Sequence, residues 1–546
     1  MLLPLICLFG VLSSIYAAPQ VQLGKTVITG QDSPAFGLEF FGGIPFAEPP
    51  VGKLRFKPPV LKTRLDVKAF DASSFGKGCL QPSTNITQIS EDCLTINVFR
   101  PAGIPPGAKL PVLFWTYGGS FVNGASFIYN ASAIVAQSIV RGTPLIYVNY
   151  NYRLGPLGFP QGQEADDKKA LNLALKDQLA ALEWVQRNIG YFGGDKTEVT
   201  VFGESAGAIM TSILFLNSPL HRLARAAILE SGSPGTIHAF RAKDREVYWQ
   251  NFVSGVPSCA KLAISKRTFD CLARANSSEI LLGINIAIAK SPTEFGFAPT
   301  LDGYKGLLPA VPSMLLPWGH FSRIPFIAGT NLDEGTAFTP TDVKQSTDVI
   351  RAKILQDNSP PLVPKHILAA VVDKLLRLYP DDPALGSPFN TGTERYDLPH
   401  GFKRAAAING DLSFVSTRRN LQQTASRFGV KNFGYLFTQP QPNDPPFLGV
   451  THASEVRFVY GVPTDQSLPA LALSRSMIDY WISFATSLTP NDGKGVLPKG
   501  RNFSLSSLVL SQVLLQLNGL NLTTIPDTFR KEQIDFINST PLAFYH

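Results

Sequence analysis

Beyond residue 94 the apolar residues alternate between two periods. Leu110–Thr116 (LPVLFWT) is a short unbroken apolar run before a pair of glycines, and Pro144–Tyr150 (PLIYVNY) is a second, rich in β-formers. In the following segment, Leu171–Asn188, residues Leu175, Leu179, Leu182 and Val185 recur at helical spacing. Gly193-Gly194 then interrupts the chain, Val199–Phe202 is a third apolar run, and Ala206–Leu216 reads as another helix. Strands buried on both faces of a sheet are continuously apolar because neither face meets water. Strand, helix, strand, helix in this order predicts an α/β fold: a large, mostly parallel central sheet flanked by helices. No internal repeat is visible, and 18–546 is expected to form one catalytic domain with loop and helical insertions.

Apolar patterning also marks the N-terminus. Met1–Ala17 holds an apolar run followed by small residues, too short to span a bilayer, and reads as a secretory signal peptide. Cleavage is placed after Ala17, because cleavage after Ala18 would leave Pro19 first. No other apolar stretch reaches about 18 residues, so no membrane span is expected. The last residues, Leu542 to His546, form no long apolar tail for a lipid anchor.

Composition narrows the class. With 44% hydrophobic and 16% charged residues the chain is globular rather than disordered. The net charge of +8 comes from Lys and Arg spread evenly, with no basic run, which argues against a nucleic-acid partner. Of five cysteines, Cys7 leaves with the leader, and Cys79, Cys93, Cys259 and Cys271 remain. Four cysteines allow three pairings, and pairing sequence neighbours closes two short loops. No CxxC and no nearby His supports a metal site, so neither metal nor cofactor is expected. Asn85, Asn130, Asn276, Asn502, Asn521 and Asn538 each open an N-x-Ser/Thr sequon, which together with a leader suggests a glycoprotein.

The candidate chemistry lies at Gly203-Glu204-Ser205-Ala206-Gly207, a G-x-S-x-G match. Such a motif sets a serine hydroxyl on a tight strand-to-helix turn, with small neighbours that let the backbone bend. The helix behind it directs N–H groups at developing negative charge. The pattern alone is cheap, since Ser231–Gly235 (SGSPG) nearly matches it. The strand Val199–Phe202 before it and the helix after it supply the required context. Ala206 N–H is then a candidate oxyanion donor, and Tyr117–Phe121, following the first apolar strand, suits the remaining donors. A serine nucleophile needs a base and an orienting acid, in the chain order Ser, acid, His for an α/β-hydrolase. Histidines stand at 221, 238, 320, 366, 400, 452 and 546, and pattern alone does not choose among them. The only GKT, Gly24–Thr26, lacks the upstream Gly of a phosphate loop.

From about Val21 to Asn538 the chain resembles the type-B carboxylesterase/lipase family, α/β-hydrolases that include secreted fungal lipases of the Candida rugosa type and cholinesterases. The resemblance rests on Gly43–Phe56, Ser90–Asn97, the Tyr117–Phe121 loop, Asn151–Phe159, Asn172–Gln178, Phe192–Ala208 and Pro299–Gly303. It implies a triad of Ser205, Glu334 in GTNLDEG, and His452 in THASEVRFVYG, with Asp333 and Glu455 as structural neighbours. It also implies Cys79–Cys93 as one disulfide, leaving Cys259–Cys271 as the other. The family's loop donors map to Gly119 and Ser120. A third glycine is usual where this chain has Ser120, and a positive φ there would cost on the order of 1 kcal/mol. The loop between Cys79 and Cys93 encloses 13 residues, none aromatic. Lipases of the family carry a longer lid there, and cholinesterases a Trp that holds a quaternary ammonium.

These features imply a secreted serine carboxylester hydrolase for short or medium acyl esters, or aromatic-acid esters such as feruloyl esters. Its partner would be a small-molecule or lipid ester. The alternative is a lipase or sterol esterase. A reading from another class, a non-catalytic adhesion member of the fold, conflicts with retention of Ser205, Glu334 and His452.

Overall fold

An eleven-stranded sheet organises the molecule. Its strands are β1 (Gln31–Ser33), β2 (Leu38–Pro45), β3 (Thr95–Pro101), β4 (Leu110–Thr116), β5 (Ile146–Tyr150), β6 (Gly194–Glu204), β7 (Ala226–Glu230), β8 (Phe326–Asn331), β9 (Asn432–Phe437), β10 (Val513–Leu517) and β11 (Thr523–Pro526). They lie in the order β11-β10-β9-β8-β7-β6-β4-β5-β3-β2-β1. The computed structural model describes residues 18–83, 85–291, 295–497, 502–504 and 513–546. The expected signal peptide, 1–17, lies outside the described residues. Seven neighbouring strands, from β10 through β5, run parallel, and antiparallel strands close both edges. This is the mostly parallel sheet of an α/β-hydrolase fold.

The central strands β4, β5, β7, β8 and β9 are buried along almost their whole length. Their apolar runs therefore serve two covered faces at once. Helices α1 (Leu173–Asn188), α2 (Ala206–Asn217), α3 (Phe402–Gly410), α4 (Ser416–Arg427) and α5 (Leu468–Ser487) flank the sheet. On α1, Leu175, Leu182 and Val185 are fully buried, as their spacing predicts, and Leu179 is half-buried. The same helix also buries Asp177, ion-paired to Arg153 at 2.6 Å, and Gln178, which donates to Thr116 Oγ1 and Thr211 Oγ1.

Strand β6 differs from its predicted extent. Pairing begins at Gly194, opposite Leu110, not at Val199. The register shifts between those two points, and residues 195–198 remain partly solvated. The break sits at Gly193 alone, whose φ of 86° reverses the chain.

The structure joins Cys79 to Cys93 and Cys259 to Cys271. Among the described residues, no helix is long and apolar enough to cross a membrane. No cluster of three His, Cys, Asp or Glu side chains there is arranged to hold a metal. Five sequon asparagines (85, 130, 276, 502 and 521) are exposed. Asn538 is not: it is half-buried, and its amide nitrogen donates to the Ser416 carbonyl at 3.1 Å.

Candidate active site

The parallel register brings the carboxyl ends of β4, β6, β7 and β8 level, with Thr116 opposite Gly203 and Glu230 opposite both Glu204 and Gly329. Open α/β sheets bind ligands at such an edge. Ser205 leaves β6 there with φ 53° and ψ −126° and immediately precedes α2. Few non-glycine residues adopt that conformation, which costs of order 1–3 kcal/mol and persists only where surroundings impose it. Here the N–H of Ser205 donates to the Glu230 carbonyl at 2.9 Å. The two motif glycines have a steric reason. A Cβ on Gly203 would lie 2.6 Å from the Thr116 carbonyl oxygen, and one on Gly207 would strike the same atom. The end of β4 thus presses directly on the turn.

The glycine loop closes from the same side. A Cβ on Gly118 would lie 2.8 Å from Ser205 Cβ. Gly119 follows with φ 110°, then Ser120 with φ 53° and Phe121 with φ 65°. The condition attached to Ser120 is therefore met, and the serine carries the left-handed penalty. Among the described residues, the N–H groups of Gly119 and Ser120 donate to no protein acceptor. Ala206 is the first residue of α2, where N–H groups have no acceptor within the helix. All three candidate donors are thus at the turn and unspent.

His452 stands on the loop after β9. Its neighbour Thr451 pairs with Asp333 in an isolated parallel bridge, which ties the loop to the end of β8. His452 Nδ1 lies 2.6 Å from Glu334 Oε2. The other carboxylate oxygen of Glu334 accepts from Asn331 N–H at 2.7 Å and from Ser231 Oγ at 2.6 Å. Asp333, one residue earlier, is turned away. It accepts from Ser387 Oγ, Phe389 N–H and Val450 N–H, at 2.8 to 2.9 Å, and so pins two loops together.

Three side chains at the site carry no sequence signature that marks them as such. Glu204, the variable letter of the serine motif, places Oε1 3.1 Å from His452 Nε2. The two atoms are close but misaligned, and neither has a hydrogen-bond partner. Phe338 and Phe414 flank the imidazole, with ring centroids 4.9 and 4.7 Å away. Phe414 is carried on a π-turn, Asp411–Val415, inserted between α3 and α4. Such turns are frequent at functional sites. A cleft runs past these two rings and is lined further by Phe295, Asn409, Ser413, His238, Phe240, Arg245, Lys353 and Asp357.

Four glutamates crowd this region: 204, 230, 334 and 455. Burial pushes the Glu204 carboxyl up to about 8, against the pull of His452. It likewise lifts Glu455 to about 7, aided by the Glu334 charge, and Glu230 well above the carboxylate range. For His452 burial acts downward, but the carboxylates of Glu204 and Glu334 outweigh it and hold the imidazole up, to about 9. Glu455 keeps its place through Asn331 Nδ2 at 2.5 Å and the shared Ser231 hydroxyl. Ser231, from the near-match motif, is therefore the hydroxyl that holds two acids of the site.

A family model described as the carboxylesterase family matches residues 17–525. The chain belongs to the carboxylesterase family. Like its relatives, this carboxylesterase-family protein is a carboxylic ester hydrolase. It is 34% identical over 523 residues to Lipase 2 of Geotrichum candidum, covering 88% of this chain and 89% of that one. It is 32% identical over 566 residues to Lipase 4 of Diutina rugosa, covering 97% and 98%. Among solved structures it resembles a PNB esterase, with TM-score 0.76 and 28% identity over 95% of this chain and all of the other. EstA of Aspergillus niger shares the fold, with TM-score 0.82 and 24% identity over 97% and 99% of the two chains.

Proposed function

We propose that this carboxylesterase is a secreted serine hydrolase that cleaves short or medium acyl esters, or aromatic-acid esters, through an acyl-enzyme on Ser205. The observation that carries the mechanism is the 2.6 Å contact between His452 Nδ1 and Glu334, with Nε2 making no hydrogen bond and lying 3.1 Å from Glu204, the residue before Ser205. In this reading His452 Nε2 takes the hydroxyl proton as Ser205 Oγ bonds to the ester carbonyl carbon. Gly119, Ser120 and Ala206 N–H groups receive the oxyanion, each such donor being worth roughly 2.7–4 kcal/mol in the transition state. Collapse breaks the ester C–O bond, and His452 returns the proton to the departing alcohol. Water then repeats the sequence against the acyl-serine, releasing the acid and restoring the Ser205 hydroxyl. Glu334 orients His452 and balances its transient charge. Secretion is supported by the two disulfides and by relatives such as Secreted lipase 1 of Botryotinia fuckeliana.

The substrate preference rests on the Cys79–Cys93 loop. Leu80 and Ile89 are turned inward, leaving Ile86 as its exposed apolar side chain. That is little area for docking on an oil surface. The names of the fungal relatives favour the second reading, a lipase. An acyl-length series of nitrophenyl esters, with and without emulsion, separates the two. Activity is expected to peak at short or medium chains and to change little at the interface. A sharp rise on emulsified long-chain ester would establish the lipase instead.

The Glu204 carboxylate makes a second expectation. A general base works when unprotonated, and a neighbouring anion raises its pKa. Glu204→Gln removes a carboxyl whose ionised form stabilises the imidazolium, so the acid limb of the kcat/KM profile should move to lower pH by roughly one unit. A limb that stays in place would mean that Glu204 carries no charge that His452 feels.

A further inference from the structure

Among the described residues, Arg245 is a buried cation without a counter-ion. It is 8% exposed, and no carboxylate among the described residues lies within ion-pair distance of its guanidinium. The nearby acids are engaged elsewhere: Asp244 faces Arg241 at 3.7 Å, and Asp357 holds Lys353 at 2.8 Å. Buried charges are normally paired, because desolvation without compensation is expensive. The guanidinium is sandwiched between Phe240 and Tyr248, its carbon 4.4 and 4.2 Å from the ring centroids. Nη1 donates to Tyr248 Oη and Nη2 to the Phe295 carbonyl. Two of five donors are thus used, and the plane is fixed by stacking rather than by an anion.

The position of this cation gives it meaning. Arg245 lines the cleft that runs past Phe338 and Phe414, the rings that flank His452. Of the other ionisable groups lining it, Lys353 and Asp357 offset each other. His238 stays neutral, since burial and then Arg245 push it down to about 3. Counting the described residues, the cleft therefore has aromatic walls, one net positive charge and unspent guanidinium donors. From this we infer that Arg245 forms a subsite for a carboxylate, and that preferred substrates are esters bearing a free carboxylate group remote from the scissile bond. A planar guanidinium matches a carboxylate in geometry as well as charge. The inference rests on the ester-hydrolase reading of Ser205 and His452 and adds the substrate class to it.

The test compares wild-type enzyme on esters matched in length. Monomethyl succinate, glutarate and adipate carry the carboxylate on the acyl side, and the corresponding neutral methyl esters do not. Butanoyl esters of short hydroxy acids, against butanoyl esters of plain alcohols, move the carboxylate to the alcohol side. In at least one of these series the anionic ester should be preferred by roughly tenfold in kcat/KM, mainly through KM. Arg245→Gln should then bring the anionic-to-neutral ratio to about one. If the variant fails to fold, the wild-type ratios decide alone. Hydrolysis of neutral esters with no anionic preference in either series overturns the inference and leaves the esterase reading intact. A preference that survives Arg245→Gln also overturns it. Failure to hydrolyse any ester would overturn the esterase reading itself.

Discussion

Ser205→Ala is expected to lower kcat/KM on a nitrophenyl ester by about 10⁴-fold or more while the protein stays folded. The substitution removes one atom, Oγ, and keeps the Cβ on which the Gly118 loop closes. Among the described residues that hydroxyl makes no hydrogen bond, and its backbone is held by the Glu230 carbonyl whatever the side chain. Stability should therefore move by no more than about 0.5 kcal/mol, as for substitutions that break no named interaction. The measurement pairs initial rates with a melting curve. Unchanged activity in a folded variant would remove Ser205 from the mechanism. Ser231 is a poor substitute nucleophile, since its hydroxyl already serves Glu334 and Glu455.

Glu334→Gln should cost a comparable factor, about 10³–10⁴ in kcat, by a different route. Glu334 Oε1 must accept from Asn331 N–H and Ser231 Oγ, so an amide at this position keeps its oxygen there. Its NH₂ then faces His452 Nδ1, which in the wild type sits 2.6 Å from the second carboxylate oxygen. An amide donor forces Nδ1 to accept, and the ring proton moves to Nε2. That tautomer cannot take a proton from serine. Because the hydrogen bonds persist in number, KM and melting temperature should change little. A loss carried mainly by KM, or by unfolding, would show that Glu334 only supports the loop.

What the sequence disclosed divides along the physics of each feature. Strand β4 was legible to the residue because a run buried on both faces is apolar from end to end. Strand β6 looks short in the sequence because its first residues are polar and partly solvated, and only pairing with Leu110 makes them strand. Ser205 carries its own local signature, since the turn needs small residues within five positions. Glu334 and His452 lie 118 residues apart and meet only when the sheet is assembled. No spacing announces that contact, so their assignment came from resemblance alone. Glu204 stood in plain view as a motif letter, yet its role depends on burial and on the reach of His452. Phe414 owes its position to a π-turn, which no 3.6-residue pattern marks.

The end of β7 has a broader consequence. Its last carbonyl, on Glu230, takes the N–H of Ser205, and the next residue, Ser231, grips Glu334 and Glu455. One strand terminus is thus the shared datum from which both ends of the proposed reacting assembly are positioned. The recognition surfaces proposed above, by contrast, hang on peripheral elements: the Cys79–Cys93 loop, the π-turn and the segment around Arg245. Such an arrangement is modular. Substrate preference is free to drift in the periphery while the reacting atoms keep their alignment.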